Sequence, residues 1–84
     1  MTWIVVLGNR AERNLRRIPA ADRARILTAV DEMGIDPLGG DVVKLNGQAA
    51  FRRRVGSYRI IFSIDFDALA VGVIDIQRRT STTY

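Results

Sequence analysis

Residues 51–64, FRRRVGSYRIIFSI, determine the fold that we expect of this chain. Apolar and basic side chains alternate on both sides of Gly56-Ser57, and a period of two is typical of β-strands. A glycine followed by a serine suits a two-residue type II′ turn, because glycine adopts a positive φ without strain. We therefore predict a β-hairpin whose strands are Phe51–Val55 and residues 58–64.

The register of this hairpin determines where its arginines lie. With a two-residue loop, Val55 lies opposite Tyr58 and Arg54 lies opposite Arg59, and residues directly opposite in an antiparallel pair share a face. One face then carries the expected core residues Phe51, Val55, Tyr58, Ile60, Phe62 and Ile64. The other face, which we call the arginine face, carries Arg52, Arg54, Arg59 and Ile61. Strict alternation points Arg53 at the core, so its side chain must reach the sheet edge or lie beside a bulge.

The arginine face is a candidate anion-binding site. Like charges placed directly opposite each other destabilise a sheet by a few tenths of a kcal/mol or more, and a sequence tolerates this cost when the cluster binds an anion. Guanidinium suits phosphate because its planar fork donates two parallel hydrogen bonds and stays charged. The alternative is a solvated face whose arginines pair with Asp65, Asp67 or Asp75.

A strand and two helices are predicted before the hairpin. Residues 2–7 are apolar and β-branched, as in a strand. Asn9 and Glu12 have the spacing of a capping box, so we expect the first helix to begin there and to end before Pro19. A second helix is predicted over residues 21–33, with a left-handed C-cap at the following glycine. Its expected inner stripe is Ile26, Leu27, Val30 and Met33.

Two further strands complete the predicted fold. They cover residues 42–45, which end at an Asn46-Gly47 turn, and residues 69–76. Carrying the register across a turn at 65–68 places Ile64 opposite Leu69 and puts Arg78 in phase with the arginine face. The order β-α-α-β-β-β-β predicts an α+β fold, in which a helical hairpin packs on one face of a small, largely antiparallel twisted sheet. Eighty-four residues have material for one core, so residues 1–84 are expected to form a single domain.

The composition excludes several classes of protein. A hydrophobic fraction of 48% is too high for a disordered chain. The chain has no cysteine and no histidine, which excludes a disulfide framework, thiolate metal sites and histidine catalysis. We therefore expect no metal and no cofactor. No apolar stretch is long enough to span a membrane, so we expect a cytoplasmic protein without membrane contact.

The excess positive charge lies in the second half of the chain. Residues 1–41 hold six arginines and six acidic residues, whereas residues 42–84 hold seven basic and three acidic residues. The net charge of +4 therefore belongs to residues 42–84. Such asymmetry favours a polyanionic partner, above all a nucleic acid. A basic surface that only keeps the protein in solution is the alternative.

Three motifs in this order resemble the RelE/ParE toxin superfamily. They are Lys44-Leu45-Asn46-Gly47, the hairpin of residues 51–62 with its Gly-x-Tyr-Arg turn, and Asp75-Ile76-Gln77-Arg78-Arg79 followed by Tyr84. The first strand and the helical hairpin also fit that superfamily, so the resemblance covers nearly the whole chain. It implies the toxin of a type II toxin–antitoxin system, with a cognate antitoxin as partner.

The resemblance to the RelE-like branch also implies an activity and a set of residues. Members of that branch are metal-free endoribonucleases that bind in the ribosomal A site and promote attack of a messenger-RNA 2′-hydroxyl on the adjacent phosphate. Arg52 and Arg54 match the basic pair of that branch, Arg59 the arginine that contacts the reacting phosphate, Arg78 the late arginine and Tyr84 the proposed base. The resemblance further suggests RNA contacts by Lys44, Arg53 and Arg79.

This chain departs from the RelE-like pattern in its basic pair, which is often lysine there. Arginine does not release its proton, so Arg52 and Arg54 are expected to act by charge and not as general acids. The other branch of the superfamily poisons DNA gyrase, and some members are weakly active. A gyrase inhibitor and a weakened RNA-binding protein therefore stay open as alternatives. Lys44 has its own alternative, a charge that protects an edge strand from aggregation.

Overall fold

The structure is a computed structural model that describes residues 2–45, 47 and 49–79. Its elements are β1 (Ile4–Leu7), α1 (Asn9–Arg16), α2 (Ala20–Met33), β2 (Val42–Lys44), β3 (Phe51–Val55), β4 (Tyr58–Asp65) and β5 (Ala70–Arg78). The predicted α+β fold and its element order are confirmed. Within the described part of the chain, no helix has the length and apolar character needed to cross a membrane.

The five strands form one sheet in the order β1-β5-β4-β3-β2. β1 is parallel to β5, and the other neighbours are antiparallel. β1 pairs with β5 only as far as Leu7 opposite Val73. Beyond that point α1 lies along the open edge of β5, where Asn14 Nδ2 donates a hydrogen bond of 3.3 Å to the carbonyl oxygen of Ile76.

The predicted capping box at the start of α1 is wrong. Gly8 is the N-cap, with an extended backbone at φ −70°, and no side chain of the described residues caps the helix. The N–H of Gly8 donates to the carbonyl of Val73 at 2.9 Å, and its own carbonyl accepts from the N–H of Glu12. Because the backbone of Gly8 serves the sheet and the helix at once, the helix begins one residue earlier and Asn9 already lies in its first turn.

The predicted left-handed cap after α2 is also wrong. Gly34 has a right-handed conformation, with φ −68° and ψ −17°. Its N–H donates to the carbonyl of Asp31 at 3.1 Å, so the helix ends in a tightened turn. Its carbonyl accepts from the N–H of Trp3, and an added Cβ would lie 3.2 Å from the Asp31 carbonyl oxygen. A side chain at this position would therefore require the Asp31 carbonyl to shift by a few tenths of an ångström.

The core lies between the two helices and one face of the sheet. Its buried cluster comprises Ala11, Leu15, Ile18, Ile26, Ala29, Val30, Met33, Tyr58, Ile60, Phe62, Val71, Val73 and Ile76. The predicted core face of the hairpin is confirmed, because Phe51, Val55 and Ile64 pack against this cluster. In α2 the prediction for Leu27 is wrong: Leu27 is 41% exposed and Ala29 is buried in its place. The arginine face is the face of the sheet that points away from the helices.

A bulge in β5 changes the face on which its last residues lie. Phe62 pairs with Val73, but Ile61 pairs with Asp75, so Ile74 has no partner in β4. The turn also differs from the prediction, since Ile64 lies opposite Val71 and not opposite Leu69. Because side chains alternate with a period of two, this shift of two residues leaves each residue of β5 on its predicted face. The single extra residue of the bulge moves every later residue of β5 to the opposite face.

Candidate functional site

The register of the hairpin places three guanidinium groups on the arginine face, as predicted. Arg54 lies directly opposite Arg59, and Arg52 lies opposite Ile61. The Gly56 turn joins the two strands with φ +56°, the positive value that a type II′ turn requires at its first central position. The face therefore brings Arg52, Arg54 and Arg59 into one group at the turn end of the sheet.

Asp41 is the carboxylate that contacts this group. Its Oδ1 lies 3.8 Å from Nη1 of Arg52, and its Oδ2 lies 3.8 Å from Nε of Arg54. The position is fixed by the backbone, because the N–H of Arg54 donates to the Asp41 carbonyl at 3.0 Å. The predicted alternative partners Asp65, Asp67 and Asp75 form no ion pair with an arginine within the described residues.

Arg52 retains an unfilled hydrogen-bond position on this face. Its side chain is 18% exposed, and its Nη1 is a buried polar atom without a hydrogen-bond partner among the described residues. The 3.8 Å separation from Asp41 is too long for a hydrogen bond. A buried N–H without a partner is unfavourable. An anionic oxygen could fill this position only if the Arg52 side chain shifted to expose Nη1.

A chain of hydrogen bonds holds Arg59 in place. Its Nε donates to Oε1 of Gln77 at 3.0 Å, and Nε2 of Gln77 donates to Oδ2 of Asp75 at 3.1 Å. Oδ1 of the buried Asp75 accepts from Asn14 Nδ2 at 2.6 Å and from the N–H of Ile76 at 2.8 Å. Guanidinium only donates and carboxylate only accepts, so the amide of Gln77 has one orientation that satisfies both neighbours. Arg59 is thereby tied to α1 through β5.

Gln77, Asp75 and Asn14 were not identified from the sequence as site residues. Alternation along β5 placed Gln77 on the core face, because the bulge at Ile74 was not expected. Strict alternation after Val73 would point the polar Asp75 and Gln77 at the core and the apolar Ile76 away from it, and this reversal of the pattern was the available signal. It indicates that the inward positions change at this end of the strand.

Arg53 lies on the helix side of the sheet, as alternation predicted, and not on the arginine face. Its Nη2 forms an ion pair with Glu32, and its Nη1 donates to the carbonyl of Ala29 at 3.4 Å. Gly40 packs against the guanidinium at φ +83°, and an added Cβ there would lie 3.0 Å from Arg53 Cζ. Arg53 is buried away from the arginine face, and the expectation that it contacts RNA stays a prediction. Its role is to fasten β3 to α2 and to the loop that carries Asp41.

Arg78 is a predicted site residue whose position in the structure differs from the prediction. It lies opposite Tyr58, and therefore on the helix side, because the bulge in β5 reverses the faces after Ile74. The prediction that Arg78 shares the arginine face is wrong. Its neighbour Gln77 takes the place on that face opposite Arg59.

The remaining predicted residues lie at the periphery. The N–H of Arg79 donates to the Ser57 carbonyl at 2.6 Å and its Nη1 donates to the Gly56 carbonyl at 3.1 Å, so Arg79 braces the hairpin turn. Lys44 is exposed on the edge strand β2, opposite Phe51. Tyr84 lies outside the described residues.

The sequence and the structure of the chain were compared with those of known proteins. No protein-family model matches the chain, and a search of curated proteins found no match. Among solved structures, the chain is similar to one in the archaeal RelE–RelB complex from Pyrococcus horikoshii. The two share 26% identity with a TM-score of 0.86, over 98% of this chain and 100% of that chain.

Two other solved structures extend the likeness to bacteria. A chain of a RelBE toxin–antitoxin complex from Mycobacterium tuberculosis is 22% identical, with a TM-score of 0.81, over 94% of this chain and 93% of that chain. A YoeB/ParE toxin from Agrobacterium tumefaciens is 15% identical, with a TM-score of 0.77, over 92% of this chain and 99% of that chain. With its helical hairpin on one sheet face and its arginines on the other, the chain belongs to the RelE/ParE toxin superfamily.

Proposed function

We propose that this protein is the toxin of a type II toxin–antitoxin system and that it inhibits translation as a ribosome-dependent messenger-RNA endoribonuclease. The observation that carries the proposal is the placement of Arg54 directly opposite Arg59, with Arg52 on the same face. Arg52 and Arg54 share the carboxylate of Asp41, and no carboxylate oxygen of the described residues lies within 4.0 Å of Arg59, so the group of three keeps a net positive charge. Such a surface is suited to a phosphate whose negative charge increases during reaction.

The proposed chemistry is attack of a ribose 2′-hydroxyl on the adjacent phosphorus. The bond from the 2′-oxygen to phosphorus forms and the bond to the 5′-oxygen breaks, which leaves a cyclic phosphate and a 5′-hydroxyl. Arg59, held by Gln77, would face the charge that develops on the phosphate oxygens, and Arg52 and Arg54 would bind the backbone beside it. Tyr84 would accept the proton of the 2′-hydroxyl. Arginine keeps its proton, so another group must protonate the 5′-oxygen.

The proposed regulator is an antitoxin segment lying across the arginine face. The similar chains from Pyrococcus and Mycobacterium were solved in complexes with antitoxins. Besides its arginines, this face of the sheet presents Ile4 and Val6 of the edge strand β1, which are 64% and 56% exposed. A segment with acidic residues at one end and apolar residues at the other would match both areas. Such a protein would act in the cytoplasm, where ribosomes translate.

The test is primer extension on messenger RNA after induction of the wild type and of Arg59→Ala, with Arg16→Ala as the matched control. Arg16 is exposed on α1, where it pairs with Glu12 at 3.7 Å, and it has no part in the proposed chemistry. We expect cuts phased with codons for the wild type and the control, and their loss for Arg59→Ala. Supercoiling by gyrase is measured in parallel, because one similar protein is a YoeB/ParE toxin.

Three outcomes would contradict the proposal. Inhibited supercoiling without messenger cuts would assign the protein to gyrase inhibition. RNA binding without cuts or toxicity would assign it to the weakened RNA-binding class. Equal cutting by the wild type and Arg59→Ala would remove the arginine face from the active site.

A further inference from the structure

The helices of this protein differ strongly in charge, although residues 1–41 are neutral in total. Residues 9–17, which form α1 and its C-cap, hold four arginines and one glutamate, whereas residues 18–41 hold two arginines and five acidic residues. The neutral first half of the sequence therefore contains a basic helix, α1 with its C-cap, whose net charge of +3 is balanced by α2 and the residues around it. Basic residues near the C-terminus of a helix are favoured by its dipole, but Arg10 lies in the first turn, where a positive charge is unfavourable.

Three arginines of α1 and its C-cap form a continuous stripe. Arg10, Arg13 and Arg17 are spaced by three and four residues, which places them on one side of the helix. Over the part of the chain that the structure describes, none of the three has a carboxylate oxygen within 4.0 Å. Arg16, by contrast, pairs with Glu12. Like charges three and four residues apart destabilise a helix, so the stripe has no evident benefit to folding.

The stripe ends at a hollow that also contains Arg78. The hollow has a volume of about 550 Å³ and is lined by Asn14, Arg17, Ile18, Pro19, Tyr58, Ile76, Gln77 and Arg78. Its volume is within the range of about 300 to 1,000 Å³ that is usual for small-molecule sites. The two arginines supply hydrogen-bond donors, the amide of Asn14 already donates to Asp75 and to the Ile76 carbonyl, and apolar side chains supply the remaining wall. This combination fits a nucleotide unit, with cations for the phosphate and an apolar surface for the ribose or base.

Gln77 connects this hollow to the arginine face. It lines the hollow and accepts the hydrogen bond from Arg59. Both sites therefore lie at the same end of the sheet, and the hairpin turn braced by Arg79 lies at that end too. An RNA strand bound at the arginine face needs to pass only around this end of the sheet to enter the hollow.

We propose that Arg10, Arg13 and Arg17 of α1, together with Arg78, form a second RNA-binding surface, which holds the strand next to the nucleotide bound at the arginine face. The inference rests on the proposed function in taking RNA as the ligand. It assigns Arg78 to the binding of the neighbouring nucleotide and adds a helix to the RNA contacts. Contacts to the phosphates by arginines alone carry no base specificity, so the surface would add affinity for any sequence.

The test compares Arg17→Gln with Arg16→Gln in fluorescence anisotropy, using a labelled single-stranded RNA of sixteen nucleotides over a range of salt concentrations. Both variants remove one positive charge from adjacent positions at the C-terminal end of α1. We expect Arg17→Gln to weaken binding about 3- to 10-fold at low salt and to reduce the slope of log K against log salt by about 0.7, the value for one phosphate contact on a single strand. Arg16→Gln should leave the slope unchanged. The double variant Arg17→Gln/Arg78→Gln should reduce it by about twice as much as Arg17→Gln.

The experiment measures RNA affinity and not cleavage, so it tests the second RNA-binding surface separately from the proposed nuclease function. If the wild type does not cleave messenger RNA but Arg17→Gln lowers RNA affinity selectively, the proposed nuclease function fails and this surface stands. If cleavage is confirmed but Arg17→Gln and Arg16→Gln lower affinity equally, the surface is overturned. A dependence on Arg17 for binding an acidic peptide, without one for RNA, would also overturn it in favour of a protein partner. Circular dichroism of each variant excludes unfolding as the cause.

Discussion

Replacement of Asp41 by asparagine should strengthen RNA binding, although Asp41 lies inside the proposed site. Its carboxylate stands 3.8 Å from Arg52 and from Arg54, where a phosphate would have to lie, so it competes with the ligand. Exposed ion pairs contribute about 0.2 to 1 kcal/mol each, and Asp41 is 54% exposed. Removal of both contacts should therefore make the free energy of phosphate binding more favourable by about 0.5 to 1.5 kcal/mol. Since 1.4 kcal/mol is tenfold, affinity should rise about 2- to 10-fold.

The measurement is single-turnover cleavage of messenger on programmed ribosomes, titrated with toxin. Asp41→Asn should lower the toxin concentration that gives half the maximal rate and leave the maximal rate unchanged, because it alters binding of the phosphate and not the arginines themselves. The backbone hydrogen bond from Arg54 to the carbonyl of residue 41 is retained, so the loop should keep its position. The difference from the wild type should shrink as salt rises, since exposed charges are screened.

The control is Asp31→Asn, which removes the same charge from an exposed position on α2. If both variants change the titration equally, the effect is one of net charge and the competition model is refuted. If Asp41→Asn binds RNA more weakly than the wild type, Asp41 holds the arginines in position and does not compete with the phosphate.

Three further outcomes are expected. Glu32→Ala should lower the free energy of unfolding by about 1.5 to 3 kcal/mol in urea titrations, because it leaves the buried charge of Arg53 with one carbonyl partner. This loss is smaller than the roughly 3 to 5 kcal/mol expected when a fully buried pair is broken, because Glu32 is 56% exposed. A change below 0.5 kcal/mol would show that water replaces the carboxylate fully. Arg59→Ala should lower single-turnover cleavage about 100- to 1000-fold, whereas Gln77→Ala should lower it about 3- to 10-fold, because it removes one hydrogen bond that orients Arg59. Wild-type cleavage by Gln77→Ala would exclude this positioning role. Tyr84→Phe should lower cleavage less than Arg59→Ala does, because the usual tyrosine pKa lies near 10 and the phenol gives up its proton reluctantly at neutral pH; an equal defect would mean that a phenol at this position contributes as much to the reaction as the charge of Arg59.

The sequence determined the fold where local pattern and turn chemistry agreed. In the hairpin, alternation and the Gly56-Ser57 turn each specify the same pairing, so the opposition of Arg54 and Arg59 was predicted correctly. The two helices were found from their apolar spacing. Their caps were not, because Gly8 and Gly34 are constrained by β5 and by Trp3, which are distant in sequence.

The site was predicted in part for the same reason. Arg52, Arg54 and Arg59 follow from alternation within one hairpin. Asp41, Gln77 and Asn14 reach the site through a loop, a bulge and a helix edge, and each of these placements depends on tertiary contacts. For Arg53, alternation predicted that the side chain points toward the helices, but it could not predict the ion-pair partner, Glu32 on α2.

The bulge at Ile74 has a consequence for the evolution of such chains. In a strand with strict alternation, odd-numbered side chains lie on one face of the sheet and even-numbered side chains on the other. A single extra residue exchanges the two faces for every residue that follows it. Deletion of one residue there would exchange Gln77 and Arg78 between the two sides of the sheet without changing any side chain at the end of the strand. Relatives with the same C-terminal sequence can therefore present a neutral amide in one case and a guanidinium in the other to the same ligand. Sequence alignment through this strand equates positions that are equivalent in space only when the bulge is shared.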